Sequence, residues 1–71
     1  MEKLMKLKVG DKIQVIAEDA TSKGEIYFLF EEMDYCPLGD HGFRYYNLTT
    51  GKFGWNSSYI LSKTHWYKRV K

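Results

Sequence analysis

A single cysteine, Cys36, limits what these 71 residues can fold into. With one thiol no internal disulfide can form, and the paired cysteines of a zinc framework are missing too. A chain of this length buries only about 60% of the surface its unfolded form exposes. Small domains usually make up the shortfall with a disulfide, a metal, a partner or efficient packing. Large side chains must therefore build the core. Two Trp, six Tyr and four Phe are available for it, and each aromatic buries a large area at one position.

These aromatics are unevenly placed. Residues 43–70 hold eight of them, and from Arg44 onward six basic residues (Arg44, Lys52, Lys63, Lys68, Arg69, Lys71) occur without one Asp or Glu. Residues 1–43 carry five lysines against nine acids, −4, and residues 44–71 carry +6, which sum to the net +2. Such segregation marks either an anionic partner or a self-complementary fold in which acidic strands lie beside basic ones.

Along the chain, residues 1–8 alternate loosely and read as a frayed helical turn or a short edge strand. Val9-Gly10-Asp11 is a turn, with glycine free to take a positive φ. Residues 12–18, KIQVIAE, form a strand with Ile13, Val15 and Ala17 on one face and Gln14, Ile16 and Glu18 on the other. Residues 19–24, DATSKG, are a loop. Residues 25–32, EIYFLFEE, are a strand apolar on both faces, Ile26, Phe28 and Phe30 against Tyr27 and Leu29, which places it centrally. Residues 33–42 hold Pro37 and two glycines and read as a long loop. Residues 43–48 and 53–55 pair through a tight Thr49-Thr50-Gly51-Lys52 hairpin. Asn56-Ser57-Ser58 caps one helical turn through Leu61. Residues 64–70 close the chain as a strand, with Trp66 and Val70 opposite His65, Tyr67 and Arg69. The sum is one domain over residues 1–71, all-β: a small five-stranded antiparallel barrel or rolled sheet with a short helical turn near residues 57–61.

Two stretches carry a resemblance. Leu7-Lys8-Val9-Gly10-Asp11-Lys12-Ile13 is similar to the "VGD" entry into the first strand of Src-homology-3-like small barrels, including their KOW and Tudor-like relatives. Gly54-Trp55-Asn56-Ser57-Ser58-Tyr59-Ile60 resembles the strand and short helical turn that lead into the last strand of that fold. The resemblance implies an SH3-like barrel that binds peptides or nucleic acid through loop and sheet aromatics. The paired-tyrosine motif of the peptide-binding members is missing, and Ser57-Ser58 stands where they carry proline, so proline-rich ligands are not expected. In size and style the chain also resembles the short accessory proteins of bacteriophages. That likeness implies blocking of a host component, as in counter-defence, or sequestration of a signalling nucleotide.

Catalysis is not expected. Cys36 with His41 or His65 would make a thiolate–imidazole pair, but Asp34 and Asp40 near the thiol raise its pKa instead of activating it. No phosphate-cradling glycine loop or HExxH helix is present. Glu31, Glu32, Asp34, Asp40 and His41 cluster, yet their spacing does not match a calcium loop, so no metal and no cofactor are assigned. No apolar run reaches the roughly 20 residues of a bilayer span. The charged start and the single thiol fit a cytoplasmic protein. The sequons at Asn47 and Asn56 are read as chance.

What remains is a binding face. Arg44 and Tyr46 alternate with Phe43 and Tyr45, and His65, Tyr67 and Arg69 alternate with Trp66, so in each strand one set points away from the core. Phe43, Tyr45, Phe53, Trp55, Trp66 and Val70 are assigned to the core. Arg44, Tyr46, Tyr67 and Arg69, with Lys52 and His65, are assigned to binding, on one face if the two strands are neighbours. Tyrosine and arginine are favoured anchors in protein interfaces, so the expected partner is a protein, with self-association also admitted. Stacking on nucleic acid or on a small, including cyclic, nucleotide is the alternative.

Overall fold

Alternating segments become strands where one of their faces finds cover. The computed structural model describes residues 3–35 and 41–71. In it β1 (Lys12–Val15), β2 (Ile26–Met33), β3 (Gly42–Asn47), β4 (Phe53–Ser57) and β5 (Tyr67–Val70) form one antiparallel sheet, ordered β4-β3-β2-β1-β5. A single helical turn, α1 (Ser58–Leu61), lies between β4 and β5. The fold is all-β, as the sequence predicts, and β2 is the central strand. The sheet curls into a half-barrel. Among the described residues β4 and β5 remain its two edges.

Local chemistry sets the boundaries. Gly10, Gly24 and Gly51 take positive φ at the turns. Asn47 organises the hairpin: its side-chain oxygen accepts from the Thr49 and Thr50 N–H groups, and its amide donates to Glu25 Oε1 at 2.7 Å. Ser57 caps α1, its hydroxyl accepting from the Ile60 N–H at 3.2 Å. The first strand ends at Val15, earlier than its alternation suggests, although the next N–H, that of Ile16, still donates to Trp66 O one step further along the β1–β5 register. The last strand starts late. The Trp66 and Tyr67 N–H groups both donate to Lys63 O, which makes a turn of the residues before β5. Residues 3–5 run extended, with one isolated bridge between Leu4 and Lys63.

Ile13, Val15, Tyr27, Leu29, Phe43 and Leu61 are buried, and Met5, Leu7, Ala20, Tyr45 and Tyr67 pack against them. Antiparallel partners share a face. Ile13 therefore stands with Tyr27, Val15 with Tyr67, Leu29 with Tyr45, and Tyr27 with Asn47 on the inner face of the curl. Phenols fill much of this face. The Tyr27 and Tyr45 rings stack at 4.1 Å with planes 2° apart, and Tyr67 tilts against Tyr27 at 6.1 Å.

Part of the expected core lies outside. Phe43 is buried and Tyr45 packs inward, but Phe53 is 73% exposed, and Trp55 and Trp66 are each 41% exposed. The reason is hairpin register. Tyr45 is paired with Gly54 and Phe43 with Asn56, so Phe53 and Trp55 fall on the other face, paired with Tyr46 and Arg44. Trp66 precedes β5 in the turn, its ring 4.3 Å from Lys63 Nζ. Val70 is half-buried and pairs with Lys12, also on the outer face.

One ion cluster ties the chain's two ends. Asp11 is 8% exposed and accepts from the Lys8 N–H at 3.0 Å, from Lys8 Nζ at 3.2 Å and from Arg69 at 3.3 Å. The Arg69 guanidinium also donates to the Lys6 carbonyl. Burial alone would raise the Asp11 pKa. The Lys8 hydrogen bonds and the Arg69 and Lys8 charges outweigh it and hold the carboxyl below its ordinary 3.8.

Two pH responses follow from these environments. The depressed Asp11 pKa contributes stability that is complete above about pH 4 and fades as pH falls through the folded-state value. Asp11→Asn should cost roughly 1–2 kcal/mol at neutral pH, with the melting temperatures of variant and wild type converging in strong acid. A constant gap down to pH 2 would mean that charge plays no part. At the alkaline end, burial first, then the Tyr27 hydroxyl beside it, push Tyr45 up to about 12. That phenol favours the fold fully below about pH 10, and its contribution is lost as pH climbs toward 12. Absorbance titration should show a late phenolate missing from Tyr45→Phe. Phenols that all titrate together near 10 would rule out the buried stack.

Candidate binding face

The outer face of β2, β3 and β4 is built by register. Phe53 pairs with Tyr46, Tyr46 with Phe28, and Phe28 with Lys12. One row therefore runs Phe53–Tyr46–Phe28–Lys12 across four strands and reaches Val70 on β5. A second row runs Trp55–Arg44–Glu31. Between them the β2–β3 pairing shifts at Leu29/Glu31. This bulge puts Phe30 and Glu31 on the outer face in succession, as an extra residue in one strand does.

Phe30 meets Phe53 edge-on at 5.6 Å, and Tyr46 tilts against Phe53 at 4.9 Å. Phe28 and Tyr46 are half-buried, whereas Phe30 is 38% exposed and Trp55 and Phe53 more so. Arg44 Nε donates to Glu31 Oε1 at 2.7 Å, with both side chains about half in solvent. The result is an aromatic surface on a hydrogen-bonded three-strand platform, with one fixed guanidinium–carboxylate pair at its margin.

The residues assigned to binding from the sequence do not converge. Arg44 and Tyr46 belong to this face. Tyr67 and Arg69 lie on β5, three strand spacings or roughly 14 Å from β3, and their register with Val15 and Ile13 puts them on the inner face. Tyr67 packs against the core and its pKa is raised, by burial first and then by Tyr27. The Arg69 cation is engaged by Asp11. Lys52 sits exposed at the end of the hairpin and His65 exposed in the turn before β5. Phe28, Phe30, Phe53 and Trp55 were not singled out for binding from sequence. The signal for two of them was present: once the hairpin pairs residues 46 and 53, whichever face takes Arg44 and Tyr46 also takes Trp55 and Phe53.

A recess of about 290 Å³ opens elsewhere, between the loop after β1 and the start of β5, lined by Val15, Ala17, Asp19, Ala20, Ser22, Trp66 and Tyr67. It is at the small end of the range for ligand pockets. Cys36, the thiol of the thiolate–imidazole pair that the sequence argues against, and Asp40 of the acidic cluster lie outside the described residues. Among the described residues no three His, Cys, Asp or Glu side chains gather as a metal site would require, and no helix is long and apolar enough to cross a membrane.

Comparison with protein-family models found no match, and neither did comparison with curated proteins or with solved structures.

Proposed function

We propose that this chain is a non-enzymatic binding module that takes a partner protein on the outer face of β2, β3 and β4, as an inhibitor or adaptor. The observation that carries this reading is the exposure of Phe30, Phe53 and Trp55 on a regular sheet, beside Arg44. Large aromatics and arginine supply most of the binding energy in protein interfaces. Strands hold their positions better than loops do, so little ordering entropy is left for the partner to overcome. An SH3-like identity is a finer reading of the same fold. It is supported by the strand order, with β5 returning to β1, and by the helical turn before β5. A phage-type accessory role and a cytoplasmic setting belong to this proposal on grounds of size and the lone thiol.

The Phe53–Tyr46–Phe28 row ending at Lys12 favours one second reading, stacking of nucleic acid bases or a nucleotide. Against it, the charge of Arg44, in the neighbouring row, is already balanced by Glu31.

Capture from a lysate of the source cell separates these readings. Phe53→Ala and Trp55→Ala should each lower recovery of the partner protein tenfold or more, a change of about 1.4 kcal/mol or greater. His65→Ala, at an exposed residue in the turn before β5 and outside this face, should leave it unchanged. Trp55→Ala and the control should melt near the wild type, because exposed positions seldom shift stability by more than about 0.5 kcal/mol, whereas Phe53→Ala, which gives up its ring contacts with Phe30 and Tyr46, should melt lower. Equal recovery by every variant would mean that the face is wrong. Affinity for oligonucleotides that falls steeply with salt would instead establish the stacking reading.

A further inference from the structure

The two edges of the sheet differ. On and beside β5 stand Lys68, Arg69 and Lys71, the kind of charged side chains that keep an edge from pairing. β4 reads Phe-Gly-Trp-Asn-Ser, with neither charge nor proline. Its backbone phase is fixed at both ends. The Asn47 N–H donates to Lys52 O at 2.7 Å and the Ser58 N–H to His41 O at 2.9 Å. Residues 52, 54, 56 and 58 therefore turn their amide groups toward β3, and the backbone N–H and C=O of Phe53 and Trp55 point out of the sheet. Ser57, next in that phase, has its N–H held by Asn56 Oδ1 at 2.8 Å. The open stretch is thus two residues, each offering one donor and one acceptor.

That stretch is complementary to itself. We propose that β4 pairs antiparallel with β4 of a second copy of this chain, about a two-fold axis at Gly54. Phe53 of each copy then faces Trp55 of the other. Each of these two residue pairs exchanges both N–H···O=C bonds, so four hydrogen bonds form and all four outward donors are used. Facing residues share a side of the sheet, which sets a Phe–Trp pair on either side of the axis on the outer face. Aromatic cross-strand pairs of this kind stabilise sheets. On the inner side the axis meets Gly54 against Gly54, neither of which brings a side chain of its own, and the Tyr45 ring of each copy lies over its own Gly54. No like charges oppose one another anywhere along this register.

The second copy is favoured over an unrelated strand because the donor and acceptor spacing, the aromatic placement and the glycine all satisfy one symmetry operator. A two-fold contact is also closed: it uses both β4 edges and leaves only the charged β5 edges outside. The outer faces of the two copies become continuous, which doubles the surface proposed above for a partner, though the pairing does not depend on that reading. With so short a strand the association is weak, as befits an interface at the small end of specific contacts.

Sedimentation equilibrium of the full chain from a few micromolar to about 1 mM tests this. The mass should rise from 8.4 kDa toward twice that value, and amide exchange at Phe53 and Trp55 should slow only at the high concentrations. Phe53→Pro removes an outward donor at the first residue of the strand, where proline is tolerated, and should keep the chain monomeric. Should that variant fail to fold, charge exchange decides. The double variant Phe53→Lys with Trp55→Lys should stay monomeric alone, as should Phe53→Glu with Trp55→Glu, and an equimolar mixture should dimerise, because the two-fold register sets each lysine against a glutamate. A wild type of 8.4 kDa throughout, a dimer that survives these variants, or growth past the dimer would each overturn the proposal. A monomeric wild type that still loses its partner on Trp55→Ala would remove the pairing and leave the binding face standing.

Discussion

The contact on which the rest depends is Tyr45 lying across Gly54. A Cβ at position 54 would come within 2.7 Å of the Tyr45 ring, so only glycine leaves room for it. The phenol uses that room to stack on Tyr27, and the pair helps close a small core that holds six buried hydrophobic residues among those described. This placement has a cost in exposure elsewhere. Once Tyr45 is inside and opposite Gly54, the period of two sends Tyr46, Arg44, Phe53 and Trp55 outside together. The aromatic outer surface is the geometric complement of the way this chain fills its core without a disulfide.

Much of the fold was legible because its punctuation is chemical and local. Gly10, Gly24 and Gly51 mark the positive-φ turns, Ser57 caps the helical turn as its position before Tyr59-Ile60-Leu61 implies, and β2 reads as central because both its faces are apolar. What failed to read was relational. The bulge that turns Phe30 and Glu31 outward in succession depends on the pairing partner and leaves no mark in β2 itself. The alternation of Tyr67 and Arg69 against Val70 was visible, but not that β1 and β2 separate β5 from β3. Alternation alone predicts Arg44 and Tyr46 outward but Phe53 and Trp55 inward, whereas the hairpin register puts all four on one face. A strand taken alone shows only its own amphipathicity, and in an FGW segment both large residues lie on one side with nothing on the other to compare.

The division of charge along the chain finds a structural use. Asp11 from the acidic half meets Arg69 from the basic half, and Glu31 meets Arg44 across the β2–β3 pair. Lys8, Asp11 and Arg69 together fasten the segment before β1 to the last strand, and Arg69 reaches the Lys6 carbonyl as well. Two of the basic residues that made the second half look like an anion-binding surface are therefore engaged within the fold. This leaves the aromatics, not the charges, as the distinguishing feature of the outer face.

Those aromatics invite a purely structural account in which they form a second, minor cluster over the outside of the sheet. For Phe30, Tyr46 and Phe53 that account has substance, since their edge-on and tilted contacts are of a kind worth about 0.5–1.5 kcal/mol each beyond the area buried. It does not extend to Trp55. Its indole makes no ring contact among the described residues, stands opposite a guanidinium already held by Glu31, and keeps 41% of its surface in water. A large apolar ring in that state gives up roughly two-fifths of the transfer free energy that full burial would bring. Residue 55 also aims its backbone out of the open edge, so side chain and main chain there lack a partner within the described fold. The outer face and the β4 edge meet at this residue, and covering it satisfies both.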